Sequence, residues 1–286
     1  MPPRGARAKA GNLSPQTRSK VSATYDSQPP RPVPRFTTAA SLLAVILTPS
    51  TTCADRQAEI RLFMKGDHVF QKHCAECHGK SGRGDGALAA DAVIKPRNFR
   101  SGIFKFRSTP LGFLPTNADL TRTIRTGVAG TMMPSFDHLT AAETTAVIAY
   151  IKGLSRRWKD PERMTEPIAP PALPAWLGDP AQAKPHVTAG KASFANHCAA
   201  CHGATGNGDG PASQGLQDAW GHPVVPASLG GPHYRSGPTP ADLFRTIAMG
   251  LDGTPMTGHL NTLGADRIWE LVAYIRTLPP TSPPPP

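Results

Sequence analysis

The sequence predicts an all-α protein made of two tandem domains of one fold, and three repeated features support this prediction. The segment CAECHG at residues 74–79 recurs as CAACHG at residues 198–203. Helically spaced apolar residues run into each copy, and an amphipathic helix pattern closes each half at residues 147–151 and 271–275. A repeat of this length, with the same order of elements, indicates two copies of one domain.

The length and composition agree with this organisation. A chain of 286 residues suggests about two domains, and 32 prolines with 27 glycines predict many loops around short elements. The prolines between residues 160 and 185 predict a semi-rigid linker, pinned to a domain surface by Trp176 and Leu177. The predicted division is an N-terminal segment at 1–54, a first domain at 55–160, a linker at 161–185, a second domain at 186–279 and a disordered Pro-rich tail at 280–286.

The duplicated motif has the spacing that attaches a c-type haem. Two cysteines stand three positions apart and a histidine follows the second at once: Cys74, Cys77 and His78 in the first copy, and Cys198, Cys201 and His202 in the second. On one helical turn, two such thiols add to the two vinyl groups of one porphyrin, and the adjacent imidazole ligates its iron. A zinc knuckle and a thioredoxin-like redox pair are the alternatives for a single motif. The duplication favours two covalently bound haem c groups.

The N-terminal segment predicts export. Residues 1–35 are basic and rich in Pro and Ser, so they cannot bury a core. The apolar run at 36–47 is too short to span a bilayer and is typical of a signal peptide, with cleavage before Asp55. Translation from Val33 through a GTG codon would shorten this signal to about 22 residues. Export suits c-type haem, which is attached outside the cytoplasm, and predicts a periplasmic protein. Lipidation of Cys53 is the alternative that would add membrane association.

The charge distribution predicts protein partners. The net charge is +11, but residues 1–54 carry seven basic residues and one acid, which leaves +5 for the rest. There is neither a basic stripe nor a recognised nucleic-acid module, so nucleic-acid binding is not expected. Residues 55–160 hold seventeen basic and ten acidic residues, whereas residues 161–286 hold seven and nine. We therefore expect the first domain to meet an acidic partner surface. The candidate contacts are Lys72, Lys80, Arg83, Lys95, Arg97, Arg100 and Lys105.

The two halves stay alignable after the motifs, and they resemble a known family. The matching pairs are glycine-rich loops at 82–86 and 206–210, short helices at 119–124 and 242–247, and methionine segments at 127–133 and 250–256. The chain resembles tandem class I cytochrome c domains over residues 56–157 and 186–278. It is most similar to periplasmic di-haem cytochromes that carry electrons for respiratory or molybdenum-containing dehydrogenases. The segments Arg107–Pro110, Leu114–Leu120 and Gly253–Met256 carry that likeness.

The resemblance implies a methionine as the sixth ligand of each iron, within a Gly-Thr-x-Met segment. This register selects Met133 and Met256. Met132 is the neighbouring competitor, but it aligns with Pro255. An imidazole and a thioether on one iron raise the reduction potential and close the sixth position, which suits electron transfer. Four further histidines are alternative ligands: His138, His222, His233 and His259.

The resemblance also implies residues that support the cofactor. Pro96 and Pro226 stand where the family has a proline whose carbonyl accepts the N–H of the proximal imidazole, which fixes the ring. The loop before Pro226 is longer than the loop before Pro96. Arg107 and Arg235 align and are candidates for pairing with haem propionates, with ordinary solvated side chains as the alternative.

The function favoured by these observations is single-electron transfer. The donor would be a dehydrogenase or a quinol-oxidising protein, the acceptor another cytochrome or an oxidase, and no small-molecule substrate is expected. A haem enzyme is the alternative. A di-haem peroxidase needs an open or displaceable sixth site, and a thiosulfate dehydrogenase-like enzyme needs a distal cysteine that the mature chain does not have to spare. A gas or redox sensor would need an output domain.

Overall fold

The computed structural model describes residues 53–231 and 234–280, and over these residues the chain is all-α, as predicted. The helices are α1 (Cys53–His73), α2 (Ala75–His78), α3 (Asn117–Thr126), α4 (Ala141–Gly153), α5 (Pro180–His197), α6 (Ala199–His202), α7 (Pro240–Met249) and α8 (Leu260–Ile275). No helix in this part of the chain is long and apolar enough to cross a membrane. The predicted signal peptide up to residue 52, His233 and residues 281–286 of the tail lie outside the described residues.

The first domain is organised by the crossing of α1 and α4. Helix α4 begins at a capping box, in which the Thr140 hydroxyl accepts the N–H of Glu143 and the Glu143 carboxylate accepts the N–H of Thr140. The helices approach closely because Gly66 has no side chain. A Cβ at this position would lie 2.9 Å from the Cβ of Tyr150 and still closer to the Ala146 carbonyl. This crossing fixes the end of α1, from which the first haem motif continues.

The second domain repeats this crossing with α5 and α8. Gly190 takes the place of Gly66, and a Cβ there would lie 3.0 Å from the Cβ of Tyr274 and closer still to the Glu270 carbonyl. Gly264 has a φ of 73° and kinks α8, and the helix contributes core residues on both sides of the kink. Both domains therefore bring the haem motif to the same place relative to the closing helix.

The short helices α3 and α7 begin at matching capping boxes. Thr116 and Asp119 cap α3, and Thr239 and Asp242 cap α7. Asp119 is only 1% exposed and also accepts two hydrogen bonds from Ser108, at 2.9 and 2.8 Å. These carboxylates fix the backbone just before the helices that lead to the methionine segments.

The linker is shorter than predicted. It contains short 3₁₀ turns at Pro161–Arg163 and Ala175–Gly178, but α5 begins at Pro180, so the predicted linker end at Pro185 is wrong. The Asp179 side chain caps α5, and Pro180 fits the first helical position because its missing N–H has no partner there. Trp176 and Leu177 pack against the core of the second domain, as predicted.

A buried arginine joins the two domains, which belong to one compact unit. Arg107 is 2% exposed, and its guanidinium donates to the carbonyls of Met249 at 2.9 Å and Gly250 at 3.2 Å, at the C-terminal end of α7. Helix C-termini carry a partial negative charge that favours a cation. Arg122 of α3 adds a longer ion pair with Asp242, at 3.9 Å.

Candidate haem sites

Both pairs of thiols lie on single helical turns. In the first domain the N–H groups of Cys77 and His78 both donate to the carbonyl of Cys74, at 3.3 and 2.9 Å, and the second domain repeats this at 3.1 and 2.9 Å. Burial, with a smaller contribution from the neighbouring thiol, raises the pKa of Cys74 to about 12 and that of Cys198 to about 11. Two thiols on one helical turn suit thioether bonds to the two vinyl groups of one porphyrin.

The proximal imidazoles are oriented by backbone carbonyls. His78 Nδ1 lies 3.0 Å from the Arg97 carbonyl oxygen, and His202 Nδ1 lies 3.0 Å from that of Ala227. A proton on Nδ1 donated to this oxygen leaves Nε2 as the free ligand nitrogen.

The acceptors differ by one residue from those predicted, Pro96 and Pro226. The carbonyls of both prolines face a glycine of the preceding loop instead, Gly84 in the first domain and Gly208 in the second. The Pro96 oxygen would lie 2.6 Å from a Cβ on Gly84. Each proline therefore shapes the loop, and the following residue supplies the hydrogen bond to the histidine.

The two methionine segments fold into the same hydrogen-bonded loop. The Thr131 hydroxyl donates to the Val128 carbonyl at 2.7 Å and accepts from the N–H of Met133 at 3.1 Å, while the Val128 N–H donates to the Met133 carbonyl at 3.0 Å. Leu251, Thr254 and Met256 repeat these bonds at 2.7, 3.3 and 2.9 Å. Met133 and Met256 are half-buried. Met132 is 45% exposed, and its counterpart in the second loop is Pro255, which has no sulfur.

The residues at each site fit haem c. In the first domain Cys74 and Phe136 pack at the edge of the apolar core, and the ring of His78 stacks on Phe99 with centroids 4.5 Å apart. In the second domain Cys198 and Ala199 border the core in the same way. Unpaired thiols, an oriented imidazole and a thioether loop at the edge of an apolar core are the donor set and setting that haem c requires.

The alternative histidine ligands have other contacts. The Nδ1 of His222 lies 3.4 Å from the Asp218 carboxylate, and His138 and His259 lie beside His73 and His197, with ring centroids 5.6 and 6.5 Å apart. Burial, followed by the nearby positive charge of His197, lowers the pKa of His259.

The two arginines that the repeat aligns, Arg107 and Arg235, have different surroundings in the structure. All three guanidinium nitrogens of Arg107 donate to backbone carbonyls, so Arg107 is neither a solvated side chain nor directed at a propionate. Arg235 is half-buried, and burial lowers its pKa. The pKa of His202 is lowered by burial, and the charge of Arg235 contributes to this. The contact of Arg235 with a haem propionate stays a prediction.

Sequence reasoning missed the roles of two residues beside the first site, Arg97 and Trp220. Arg97 supplies the carbonyl to His78, and its guanidinium lies over the ring of Trp220 from the second domain, 4.4 Å from the centroid. The signal in the sequence is a difference in loop length. Pro96 follows His78 by 18 positions, whereas Pro226 follows His202 by 24, and Trp220 lies in the longer loop.

The fold and both sites define a tandem pair of haem-binding electron-transfer domains. The Cytochrome c family model matches residues 63–155 and 187–279, and the chain belongs to this family. Domains of this family bind haem c covalently and transfer electrons.

Solved structures include similar chains. A chain of the reducing HAO-like protein complex of Kuenenia stuttgartiensis is 35% identical, with a TM-score of 0.70, over 75% of this chain and 96% of that one. Cytochrome CL from the marine methylotroph Methylophaga aminisulfidivorans is 23% identical, with a TM-score of 0.26, over 37% of this chain and 58% of that one. No curated protein matches the chain.

Proposed function

We propose that this protein is a periplasmic di-haem electron carrier or electron-transfer subunit. The observation that carries the proposal is the complete duplication of the site: the thiol turn, the oriented imidazole and the methionine loop occur in both domains with the same hydrogen bonds. Bound haem c supplies one-electron chemistry at iron. Met133 and Met256 would occupy the sixth positions, which disfavours substrate binding there.

The chain's own residues limit the reorganisation that accompanies each electron. The carbonyls of Arg97 and Ala227 hold the ring orientation of His78 and His202, and the threonine hydroxyls hold the methionine loops. Rigid ligands change little between the two charge states, and a half-buried setting admits little water. This arrangement suits an electron carrier between a dehydrogenase or quinol-oxidising donor and an acceptor cytochrome or oxidase.

We expect the partner to be a redox protein. The similar Kuenenia stuttgartiensis chain comes from a reducing HAO-like protein complex, which supports a subunit role for this chain as well. Exposed cations near the first motif offer a docking surface: Lys72, Lys80, Arg83, Lys95 and Arg100. Arg97 and Lys105 are half-buried, so they drop out of the predicted set of contacts.

Ligand binding to the reduced holo protein tests this proposal. Two low-spin haems that neither bind carbon monoxide nor react with peroxide support an electron carrier, and the oxidised form should show the long-wavelength methionine-to-iron band. A high-spin haem that binds carbon monoxide or turns over peroxide would favour the haem-enzyme alternative.

Salt dependence tests the docking surface. Lys80→Glu should slow electron exchange with an acidic redox protein, and the difference from wild type should shrink as the screening length falls to about 8 Å at physiological salt. Lys184→Glu, an exposed change in the second domain, is the matched control. Equal rates for the two variants would remove this surface from the proposal.

A further inference from the structure

The longer loop of the second domain presents Trp220 in a fixed turn. The Asp218 carboxylate accepts the N–H groups of Trp220 and His222, at 2.9 and 3.0 Å. The N–H of Asp218 donates to the carbonyl of His222 at 2.9 Å, which closes the turn. The Ala219 N–H donates to the Gly253 carbonyl at 3.0 Å and ties this loop to the methionine segment.

The indole touches both domains. The Arg97 guanidinium of the first domain lies over its ring, 4.4 Å from the centroid. The far edge of the same ring packs on Gly253, where a Cβ would lie 3.1 Å from the indole and 3.0 Å from Ile103 of the first domain. A Cβ at this position would require one of the two side chains to shift by a few tenths of an ångström, and the positive φ of 77° also favours glycine.

Each residue that Trp220 contacts is connected to a predicted iron ligand by a hydrogen bond or by the loop that carries the ligand. Residue 97 supplies the carbonyl that accepts from His78. Gly253 lies in the loop closed by the bonds between Leu251 and Met256 and by the Thr254 hydroxyl. Trp220 therefore lies between the proximal side of the first site and the methionine side of the second.

We propose that Trp220 is a positioning residue that couples the two haem sites. It supports Arg97, and through it the hydrogen bond to His78, while it packs against the Met256 loop. A change of ligation in the second domain then alters the electron affinity of the first haem, and the reverse follows from the reciprocity of coupling. The proposal rests on two haems being bound as described under Proposed function.

A double-mutant cycle on the holo full-length chain tests the coupling. The proteins are wild type, Trp220→Ala, Met256→Ala and the double variant, and spectroelectrochemical titration gives the midpoint potential of each haem. Met256→Ala should change the electron affinity of the first haem about fivefold, at the lower end of typical coupling. In the Trp220→Ala background this cross-effect should disappear.

Three further variants separate positioning from general packing. Trp220→Phe keeps an aromatic face and should retain the cross-effect. Arg97→Met keeps the backbone carbonyl but removes the cation, so it should lose the cross-effect even if Trp220→Ala fails to load haem. Trp176→Ala removes an indole that stacks on His186, with centroids 3.9 Å apart, and should leave the cross-effect intact.

The outcomes separate this inference from the proposed function. If the wild type holds two low-spin haems but Met256→Ala leaves the first midpoint unchanged, or changes it equally with and without Trp220, the coupling role is overturned and the carrier survives. If the wild type binds fewer than two covalent haems, both are overturned.

Discussion

Replacement of Arg107 by methionine should destabilise the protein at its domain interface. The methionine keeps much of the apolar stem, but it removes the donors to Met249 and Gly250 across the interface and to Pro110 within the first domain. The carbonyls of residues 249 and 250 end α7, so they lose both a hydrogen-bond partner and a favourable charge.

The magnitude follows from these contacts. Hydrogen bonds to a charged group contribute about 1.5–3 kcal/mol each, so the two across the interface sum to about 3–6 kcal/mol. Burial of the guanidinium, which is 2% exposed, costs several kcal/mol that a neutral methionine does not incur. This relief roughly offsets the lost hydrogen bonds, so the net loss comes from the two carbonyls left without a partner, at about 1–3 kcal/mol each, which sums to about 2–6 kcal/mol in the free energy of unfolding.

Guanidinium chloride unfolding of the holo protein, followed by circular dichroism and haem absorbance, measures this loss. Arg125→Met is the matched control, because Arg125 is exposed and the one described hydrogen bond of its side chain, to the Asp137 carbonyl, is long at 3.4 Å. It should change the free energy by less than about 0.5 kcal/mol. If Arg107→Met lies within about 0.5 kcal/mol of wild type as well, the interface does not depend on this arginine.

Three other predictions concern the first domain. Met133→Ala should open the first iron to imidazole and lower its potential, whereas Met132→Ala should not; the opposite result, read from the long-wavelength band, would make Met132 the ligand. Cys77→Ala should leave a single-thioether haem or none in this domain. A haem-stained denaturing gel with intact mass measures the covalently bound haem, and an unchanged haem content would contradict this prediction. Burial tends to raise the pKa of Asp119, but hydrogen bonds from Ser108 and its neighbours outweigh this and lower it below the ordinary 3.8. The stability that ionised Asp119 contributes is therefore complete above about pH 3.8 and is lost as the pH falls through the lower pKa of the folded protein. Asp119→Asn should flatten the dependence of unfolding on pH between those two pKa values. An unchanged acid-unfolding profile would contradict this.

The repeat in the sequence predicted the fold and the ligand turns because both depend on local patterns. Two thiols and a histidine on one turn need only the helix that carries them, and the chain forms that helix at both motifs. The predicted end of the linker was wrong because the proline-rich composition of residues 160–185 indicated an extended connector, whereas α5 begins at Pro180 and contains Pro185. Pro185 lies six positions into α5, early enough that the Asp179 cap and the crossing at Gly190 outweigh its cost.

The remaining errors concern contacts that a linear pattern does not contain. The position of Pro96 is visible in the sequence, but which carbonyl points at His78 depends on how the loop closes over Gly84. Arg107 and Arg235 align in the repeat, yet one packs into the other domain. Two aligned residues keep equivalent partners only where each partner lies in the same domain as its residue. Arg107 has its partners in the other domain, so the alignment with Arg235 does not predict its contacts.

Counting electrons in the holo protein tests the central claim most directly. A coulometric titration combined with optical spectra should give two one-electron steps per chain, one for each covalently attached haem, with both haems low-spin throughout. One electron per chain would contradict the account, as would a haem that stays high-spin and takes up an external ligand.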